Sequence, residues 1–394
     1  MIEETLEISF DQVEKEWEKY LLVDTRDKVT VEYGMIPGAV SIPEQELEGR
    51  IDELKGDRIP VLYCTRGLFS KEAAQMLSEQ GIPALSLKGG YTGWILQQMQ
   101  KEMSNKEDSA EKKNEAQEQR QKDIELSIRK KFHKQLFSRF ARGINDYELV
   151  KPGDKIAVCI SGGKDSMLMA KLFQELKRHN KFPFELVFLV MDPGYNEANR
   201  ALIEHNAKIL GIPITVFETE IFDAVYNVEK SPCYLCARMR RGYLYSKAKE
   251  LGCNKIALGH HYDDVIETIL MGMLYGAQVQ TMMPKLHSTN FEGMQLIRPM
   301  YLIREADIKH WRDYNDLHFI QCACKFTDTC TTCRTDGTSV SKRMEIKNLI
   351  AELKKVNPHI ESNIFRSVEN VNLHTVIAYK KDGVKHSFLE GYDD

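Results

Sequence analysis

Residues 155–176, KIAVCISGGKDSMLMAKLFQEL, decide the fold of the larger part of this chain. The apolar run KIAVCI predicts a buried strand, and the amphipathic stretch over 166–179 predicts a helix. Glycine, serine, lysine and aspartate lie between the two elements. Paired glycines allow a tight turn that points successive N–H groups at one place, and the helix start adds its positive dipole end. We therefore predict a loop that binds phosphate.

The sequence on either side continues the alternation of strands and helices. The strands FELVFLVMD, PITVFET and KIALGHH are separated by the helix NEANRALIEHNAKILG and by a helix around 236–251. Four such alternations predict a doubly wound α/β sheet, with the loop after its first strand. Ahead of the sheet, IELSIRKKFHKQLFSRFARGIN is predicted to form one basic amphipathic helix.

Two further segments precede this region. Residues 1–98 alternate the strand-like runs YLLVD, IPVLYC and ALSLKGG with helical patterns, which predicts a small parallel-sheet α/β domain. Residues 99–123 hold almost no large apolar residues and carry charges of both signs. They predict either a solvated helix or a disordered linker, and in both cases a boundary. The second domain is then 124–394.

Composition limits the functional classes. No run of about 18 apolar residues and no basic-then-apolar leader is found, so we expect a cytoplasmic protein without a membrane partner. In that compartment nine cysteines indicate metal or sulfur chemistry more than disulfides. The first hundred residues hold 10 Lys and Arg against 18 Asp and Glu, whereas the remainder holds 44 against 40. This asymmetry is a weak indication of a polyanionic partner for the second domain.

The phosphate loop has its own chemistry. Ser161 and Ser166 supply hydroxyls, Lys164 supplies a cation, and the Asp165 carboxylate can hold Mg²⁺ beside phosphate oxygens. The pattern differs from G-x-x-x-x-G-K-[ST] and resembles the SGGxDS loop of the PP-loop superfamily. That resemblance implies splitting of ATP into AMP and pyrophosphate to adenylate a carbonyl oxygen, with Asp165 as a catalytic residue. The candidate ATP ligands are Ser161, Gly162, Gly163, Lys164, Asp165, Ser166, Asp192, Gly259, His260 and Asp264.

A later stretch, KIALGHHYDDVIETILMGMLYG, supports the same site. Gly259, His260 and two aspartates follow a strand, where an α/β sheet builds its ligand crevice. Asp264 and Glu267 fall three apart on the following helix and share a face. The alternative is that these acids only complement the helix dipole. PP-loop enzymes that thiolate RNA carry a similar LGHHxDD stretch.

Six cysteines fall into two groups. SPCYLCARMRRG gives Cys233-x₂-Cys236, and FIQCACKFTDTCTTCRTDG gives Cys322, Cys324, Cys330 and Cys333. Clustered thiolates are soft-metal ligands, for zinc or for an iron–sulfur cluster. Cys159, inside the first strand of the second domain, and Cys253 are expected to be core residues.

The order of these motifs, followed by IRPM and READI, resembles the tRNA 2-thiocytidine synthetase family over roughly 124–375. The resemblance implies a [4Fe-4S] cluster held by Cys233, Cys236 and Cys322, with one iron open to carry sulfur. The late cysteines depart from the family's P-C-x-x-C pair. Cys324 therefore stays an alternative third ligand, and a separate structural zinc site of the four late cysteines stays open.

A basic surface for tRNA is also predicted. Arg238, Arg240 and Arg241 directly follow the first cysteine pair, and the predicted helix 129–142 is rich in Lys and Arg. Together they would contact phosphates. A solvated basic face is the equally simple interpretation of that helix.

The first domain resembles a single-domain rhodanese over about residues 6–98. The resemblance rests on D-x-R, GMIPGAVSIP, a cysteine at a strand end, and L-x-G-G-x-x-x-W. Loop N–H groups and a helix dipole can activate the Cys64 thiolate, which can carry sulfane sulfur as a persulfide. The family loop C-R-x-G-x-R-[ST] is here CTRGLFS, with Phe69 in place of the later arginine. A persulfide-bearing protein such as a cysteine desulfurase is thus a better donor than anionic thiosulfate.

Taken together, the sequence predicts an ATP-dependent sulfurtransferase that thiolates tRNA, with cytidine converted to 2-thiocytidine. The expected cofactors are ATP, Mg²⁺ and a [4Fe-4S] cluster, and Cys64 is the expected sulfur relay. The alternative is thiolation of a tRNA uridine or a small molecule, with the late cysteines binding zinc. The sequence leaves open whether the chain forms a homodimer.

Overall fold

The computed structural model describes residues 6–32, 34–104, 110–179, 181–221, 232–320, 342–390 and 392. Their contacts divide them into two compact units. The first contains the described residues up to His261 and those from Pro284 to Ile320, and the second contains Tyr262–Met283 and the residues from Lys342 onward. Within the described ranges, no helix combines the length and the apolar character that crossing a bilayer requires.

The N-terminal domain is built on a parallel sheet of five strands in the order β1-β5-β4-β2-β3. Its strands are β1 (Glu7–Ile8), β2 (Tyr20–Asp24), β3 (Val40–Ser41), β4 (Ile59–Tyr63) and β5 (Leu85–Leu87). Its helices are α1 (Phe10–Lys15), α2 (Lys28–Glu32), α3 (Glu44–Leu47), α4 (Leu68–Glu79) and α5 (Gly90–Ser104), with 3₁₀ turns at Trp17–Lys19 and Glu48–Leu54.

The central strand of this sheet is buried on both faces, as the apolar run IPVLY predicts for a parallel sheet covered by helices. Val61 and Tyr63 of β4 face one apolar cluster, and Leu62 faces the other. The predicted strands YLLVD, IPVLYC and ALSLKGG correspond to β2, β4 and β5. The small parallel-sheet domain predicted from the sequence is therefore confirmed.

The predicted boundary segment is helical where it is described. α5 continues to Ser104, and α6 (Ala110–Arg129) begins after the five residues 105–109, which lie outside the described ranges. The side chains of α6 contact the larger domain: Gln117 Nε2 donates to the Lys208 carbonyl at 3.1 Å, and Arg120 Nη2 donates to the Asp316 carbonyl at 3.3 Å. Of the two alternatives for this segment, the helix is the one observed.

The larger domain contains a six-stranded sheet in the order β10-β11-β9-β6-β7-β8, parallel except for the β10–β11 pair. Its strands are β6 (Lys155–Ile160), β7 (Glu185–Asp192), β8 (Ile214–Glu218), β9 (Lys255–Ala257), β10 (Lys285–His287) and β11 (Gln295–Ile297). Its helices in the first unit are α7 (Ser138–Asp146), α8 (Lys164–His179), α9 (Glu197–Ile209), α10 (Pro232–Glu250) and α12 (Glu305–Tyr314). The doubly wound sheet predicted from the sequence is confirmed.

The prediction of a single helix ahead of this sheet is wrong, because the segment is divided. α6 ends at Arg129, a π-helical turn spans His133–Phe137, and α7 follows. Phe132 and Leu136 of this stretch, with Phe140 of α7, are buried in the main apolar cluster. The π turn inserts a residue into the helical repeat, which lets aromatic side chains on both sides of it reach the same core.

The second unit is helical with a small hairpin. It contains α11 (Tyr262–Gly276), α13 (Lys342–Val356), α14 (Ile360–Ser367), a 3₁₀ turn at Leu373–Thr375, and the antiparallel strands β12 (Ala378–Lys381) and β13 (Val384–Ser387). Tyr262 stacks on Phe365 with ring centroids 4.3 Å apart, which joins α11 to α14.

Candidate active site

The phosphate loop lies where β6 ends and α8 begins. Gly162 has φ +85°, a conformation that side chains other than glycine rarely adopt. The loop is closed by Ser166, whose hydroxyl accepts from Ser161 N at 3.1 Å and donates to the Gly163 carbonyl at 2.9 Å. The first turn of α8 points its N–H groups into the same space, because helix N-terminal amides have no intrahelical acceptor. The loop thus has the form of an anion cradle.

Lys164 is held in a buried cluster of charges. Its side chain is 4% exposed, and Nζ lies 3.1 Å from Asp165 Oδ2 and 3.2 Å from Glu305 Oε1. Glu305 is the first residue of α12 and also lies 3.6 Å from Lys309 Nζ. Burial of a lysine is costly unless its charge is compensated, and these carboxylates provide the compensation. The ammonium group is therefore fixed at the loop.

The loop after β9 packs against the start of α8. A Cβ placed on Gly259 would lie 3.2 Å from Ser166 N, so a side chain here would force the start of α8 to shift by a few tenths of an ångström. His260 follows, and His261 Nε2 lies 3.9 Å from Asp165 Oδ1. β6 is flanked by β9 on one side and β7 on the other. The strand order thus reverses at β6. In α/β proteins, ligands bind at the carboxyl ends of the strands at such a reversal.

Asp192, another candidate ligand, ends β7 beside the loop. Its Oδ1 accepts from the amides of Gly194 and Tyr195, and its Oδ2 accepts from Arg200 Nη1 at 2.7 Å. The carboxylate is 9% exposed. These contacts give Asp192 a role in shaping the turn after β7.

Asp264 lies in the second unit, near the start of α11. It accepts from Arg343 Nη1 at 3.0 Å, and Glu267 Oε2 lies 3.5 Å from Arg343 Nε. The two acids share a helix face, as their spacing predicts. In this structure their common partner is an arginine at the start of α13.

Cys64 directly follows β4 in the N-terminal domain. Gly67 N donates to Cys64 Sγ at 3.1 Å, and Tyr91 N donates to the Cys64 carbonyl at 2.9 Å. Gly67 (φ +91°) and Gly90 (φ +58°) let the loop fold this tightly around the sulfur. The Cys64 thiol is thus half-buried at the start of α4 and accepts a hydrogen bond from a loop amide.

A buried ion pair supports the base of this loop. Arg26 donates to Asp24 Oδ1 through Nε at 2.9 Å, and its guanidinium lies 3.7 Å from the centroid of the Tyr91 ring. Burial opposes the charge of Arg26, but hydrogen bonds to Asp24 outweigh burial and raise its pKa. Phe69 packs partly buried against the second apolar cluster of the domain. It therefore contributes core packing where the rhodanese pattern has an arginine.

The predicted cluster ligands are only partly described. Cys236 is half-buried on α10 and packs near Met191 and Ile221. Cys233 is in the first turn of the same helix, but its side chain lies outside what the structure describes, as do all of Cys322, Cys324, Cys330 and Cys333. Cys159 and Cys253 are buried, as predicted. Burial, and then the nearby Cys253, raise the pKa of Cys159 to about 12.

The two parts of the predicted basic surface differ in how far their arginines are exposed. On α10, Arg238 and Arg241 are exposed and Arg240 is half-buried. In the segment 129–142, however, Arg129 pairs with Glu125 and Glu175. Arg139 pairs with Asp307 at 2.8 Å. Much of the arginine charge of that segment therefore stabilises the fold.

Sequence reasoning missed three groups that the structure brings to the loop. They are Glu305 and Lys309 on α12, and Ile320, which packs over Gly162. Glu305 belongs to the READI stretch noted in the sequence, but nothing local indicates that it reaches a lysine 141 positions earlier. His261, the second histidine of GHHYDD, also lies beside Asp165, a position that its sequence neighbours do not indicate.

Family models match both domains of this chain. A PP-loop domain model matches residues 130–326, half of the chain, and a rhodanese-like domain model matches residues 9–97. The chain is similar to the tRNA-cytidine(32) 2-sulfurtransferases of Polaromonas naphthalenivorans and Syntrophotalea carbinolica, each with 34% identity. These matches cover 66% and 61% of this chain, and 78% and 91% of the relatives. A similar solved structure is the U34-tRNA thiolase NcsA from Methanococcus maripaludis with its [4Fe-4S] cluster, at 20% identity and TM-score 0.47, covering 61% of this chain and 82% of that one.

Proposed function

Since this chain belongs to the tRNA 2-thiocytidine synthetase family of PP-loop enzymes and carries a rhodanese-like domain, we propose that it converts a tRNA cytidine to 2-thiocytidine. The chain is a tRNA sulfurtransferase. The observation that carries the proposal is the phosphate loop, in which Lys164, the amides of α8 and Asp165 meet at the switch point of the sheet.

ATP is the proposed activating substrate. Lys164 and the α8 amides would bind the β- and γ-phosphates, where the positive charge stabilises the pyrophosphate that leaves. The C2 oxygen of the base is a poor leaving group. Adenylation turns it into AMP, which a sulfur nucleophile can displace from C2.

Asp165 is suited to hold Mg²⁺ beside these phosphates. Its Oδ1 is buried and, within the described ranges, accepts no hydrogen bond. A buried carboxylate oxygen with unused lone pairs is the kind of ligand that a hard cation takes. Its other oxygen, Oδ2, is engaged by Lys164. One carboxylate oxygen would thus take the cation, while the other contacts the lysine.

Cys64 is proposed as the sulfur relay. Its thiolate would attack the outer sulfur of a donor protein's persulfide, and the donor cysteine would leave as thiolate. The Gly67 N–H, which donates to Sγ, would stabilise negative charge on that sulfur as it attacks. Delivery of that sulfur at the sulfide level consumes two electrons, which a dithiol reductant would supply. The donor is a persulfide-bearing protein such as a cysteine desulfurase, and the reaction is placed in the cytoplasm with its tRNA.

A [4Fe-4S] cluster is proposed on Cys233, Cys236 and Cys322. When bound, it supplies an iron on which sulfur can be held. Thiolates on one helix at i and i+3 share a face, which suits the first two positions for a common ligand. Arg238 and Arg241 follow on the same helix and are exposed, so they are suited to contact tRNA phosphates.

The test is a reaction of the purified protein with tRNA, ATP, sulfide and a dithiol under anaerobic conditions. We expect 2-thiocytidine in the digested tRNA, with one AMP and one pyrophosphate formed for each sulfur inserted. Asp165→Asn should abolish both products, because the variant cannot bind the cation in the same way. Formation of 2-thiouridine, or thiolation without AMP, would contradict the proposal.

Metal analysis separates the cluster from a zinc site. After anaerobic purification we expect about four irons per chain and a broad absorption band near 400 nm. Zinc without iron would assign the late cysteines a structural role. Cys236→Ser should remove the iron, while Cys253→Ser, at a buried core cysteine, should retain it.

A further inference from the structure

The two domains of the first unit share an apolar contact that reaches the phosphate loop. Leu202 of α9 is 5% exposed and belongs to the same apolar cluster as Trp94 and Ile95 of α5. Ile320 packs against both this cluster and the main cluster of the PP-loop domain. The cores of the two domains are therefore joined through these two residues.

The contact is extended by polar and aromatic interactions. Trp94 lies edge-to-face on His318 with ring centroids 5.7 Å apart. The His318 carbonyl in turn accepts from Asn206 Nδ2 of α9 at 2.8 Å. Beside them is a cavity of about 230 Å³ that is lined by residues of both domains, including Gln98 and His205. A shared apolar cluster flanked by such contacts restricts relative motion of the two domains more than a purely polar contact would.

The same elements touch the phosphate loop on their other side. A Cβ placed on Gly162 would lie 2.5 Å from Ile320 Cδ1 and 2.6 Å from Ile203 Cγ1. These side chains therefore pack directly on the glycine whose positive φ shapes the loop. Ile203 is the neighbour of Leu202, so consecutive residues of α9 face the rhodanese-like domain and the phosphate loop.

We propose that Ile320 and Leu202 are positioning residues, through which the docked rhodanese-like domain holds the phosphate loop in the shape that binds ATP. The rhodanese-like domain thus has a second role that needs no sulfur chemistry. This inference rests on the proposed function, because it assumes that the loop binds ATP.

The test compares alanine variants, each lacking one packed aliphatic side chain, in the full-length protein. Leu202→Ala and Ile320→Ala remove packing at the interface, whereas Leu62→Ala removes a buried leucine from the opposite apolar cluster of the rhodanese-like domain. We expect the two interface variants to raise the KM for ATP about tenfold, or about 1.4 kcal/mol. Their kcat at saturating ATP, with free sulfide as donor, should stay within about twofold of wild type. Leu62→Ala should leave the KM for ATP unchanged.

Ile320→Val serves as the milder variant, and thermal unfolding of each protein confirms that it is folded. The KM for ATP should rise less in Ile320→Val than in Ile320→Ala. An unchanged KM in folded Leu202→Ala and Ile320→Ala would overturn the inference. An equal rise in Leu62→Ala would also overturn it, because the effect would then report general destabilisation.

The equilibrium Kd for ATP, measured by calorimetry, separates this inference from the proposed function. If wild type binds ATP but thiolates no tRNA, the proposed function fails. The positioning inference is then tested by the Kd for ATP alone. It holds if the Kd of Leu202→Ala is about tenfold higher than that of Leu62→Ala, and it fails if the two values are equal.

Discussion

Lys164 Nζ lies 3.2 Å from Glu305 Oε1, and both side chains are at least nine-tenths buried. The two residues are 141 positions apart and begin two different helices, α8 and α12. The contact therefore ties the start of α12 to the phosphate loop. A buried ammonium group that is held in this way keeps its position before any phosphate arrives, so less order has to be created on binding.

The first prediction concerns this ion pair. Glu305→Gln keeps the shape of the side chain but removes a carboxylate charge next to a buried ammonium. We expect a loss of about 3 kcal/mol in the free energy of unfolding, measured by urea denaturation, and a higher KM for ATP. The control is Glu204→Gln, which removes an exposed partner of Arg200 on the surface of α9. It should cost less than about 0.5 kcal/mol. Equal losses of unfolding free energy in the two variants would show that the buried pair stabilises the fold no more than a surface pair does.

The second prediction tests the sulfur relay. Cys64→Ser removes the thiol that Gly67 N contacts, while serine keeps the size and an acceptor for that amide. We expect turnover with a protein-persulfide donor to fall at least a hundredfold, because no persulfide can form. Turnover with free sulfide should be retained. Thionucleoside yield with each donor is the measurement, and equal activity of the variant with both donors would exclude an obligatory relay.

The strands that build the site could be predicted because each is a short apolar run bounded by turn residues. KIAVCI and FELVFLVMD became the neighbours β6 and β7, and the loop between β6 and α8 lies where parallel strands end. These features are local in the sequence. The positions of the phosphate loop and the cysteine loop at strand ends could be predicted for the same reason. The spacing of glycine and serine indicates a tight turn there.

Contacts between distant residues could not be predicted in this way. Glu305 and Ile320 reach the loop only because α12 and the residues after it pack beside α8. The pairing of Arg129 with Glu175 likewise depends on where α6 meets α8, so arginine charge that the sequence presents as a basic face is partly used in ion pairs within the fold. The π turn at 133–137 has no local signal of its own, because it satisfies the packing of Phe132 and Phe140 in a shared core.

The third prediction concerns the backbone around Cys64. A Cβ on Gly90 would lie 2.4 Å from the Cys64 carbonyl oxygen, and the residue has φ +58°. Gly90→Ala should therefore displace the cysteine loop and lower persulfide formation on Cys64 about tenfold or more. Gly81→Ala is the matched control, because Gly81 has φ +83° but open space around its Cβ. The control should cost only about 1 kcal/mol of stability and leave persulfide formation unchanged. Mass spectrometry of the loaded protein measures both.

The fourth prediction is a pH dependence at the α6–α8 contact. Burial favours the neutral form of Glu125, but hydrogen bonds from Gln121, Lys171 and Arg129 outweigh it and lower its pKa from 4.5. Because the folded pKa lies below the unfolded value, the ionised carboxylate stabilises the fold fully above about pH 4.5. This stabilisation is lost as the pH falls through the folded pKa.

Glu125→Gln should therefore lower the free energy of unfolding by about 2 kcal/mol at neutral pH. Lys171, which is 1% exposed and 3.0 Å from Glu125 Oε1, would then lose the carboxylate that compensates its charge, and burial already lowers the pKa of this lysine. The penalty should shrink at acidic pH, as the pH falls below the unfolded value of about 4.5 and towards the lower folded pKa of Glu125. Glu118→Gln, an exposed glutamate on the same helix, should change stability by less than about 0.5 kcal/mol at both pH values. Urea unfolding at the two pH values measures these differences, and a penalty for Glu125→Gln that is independent of pH would assign the contribution of Glu125 to packing and not to its charge.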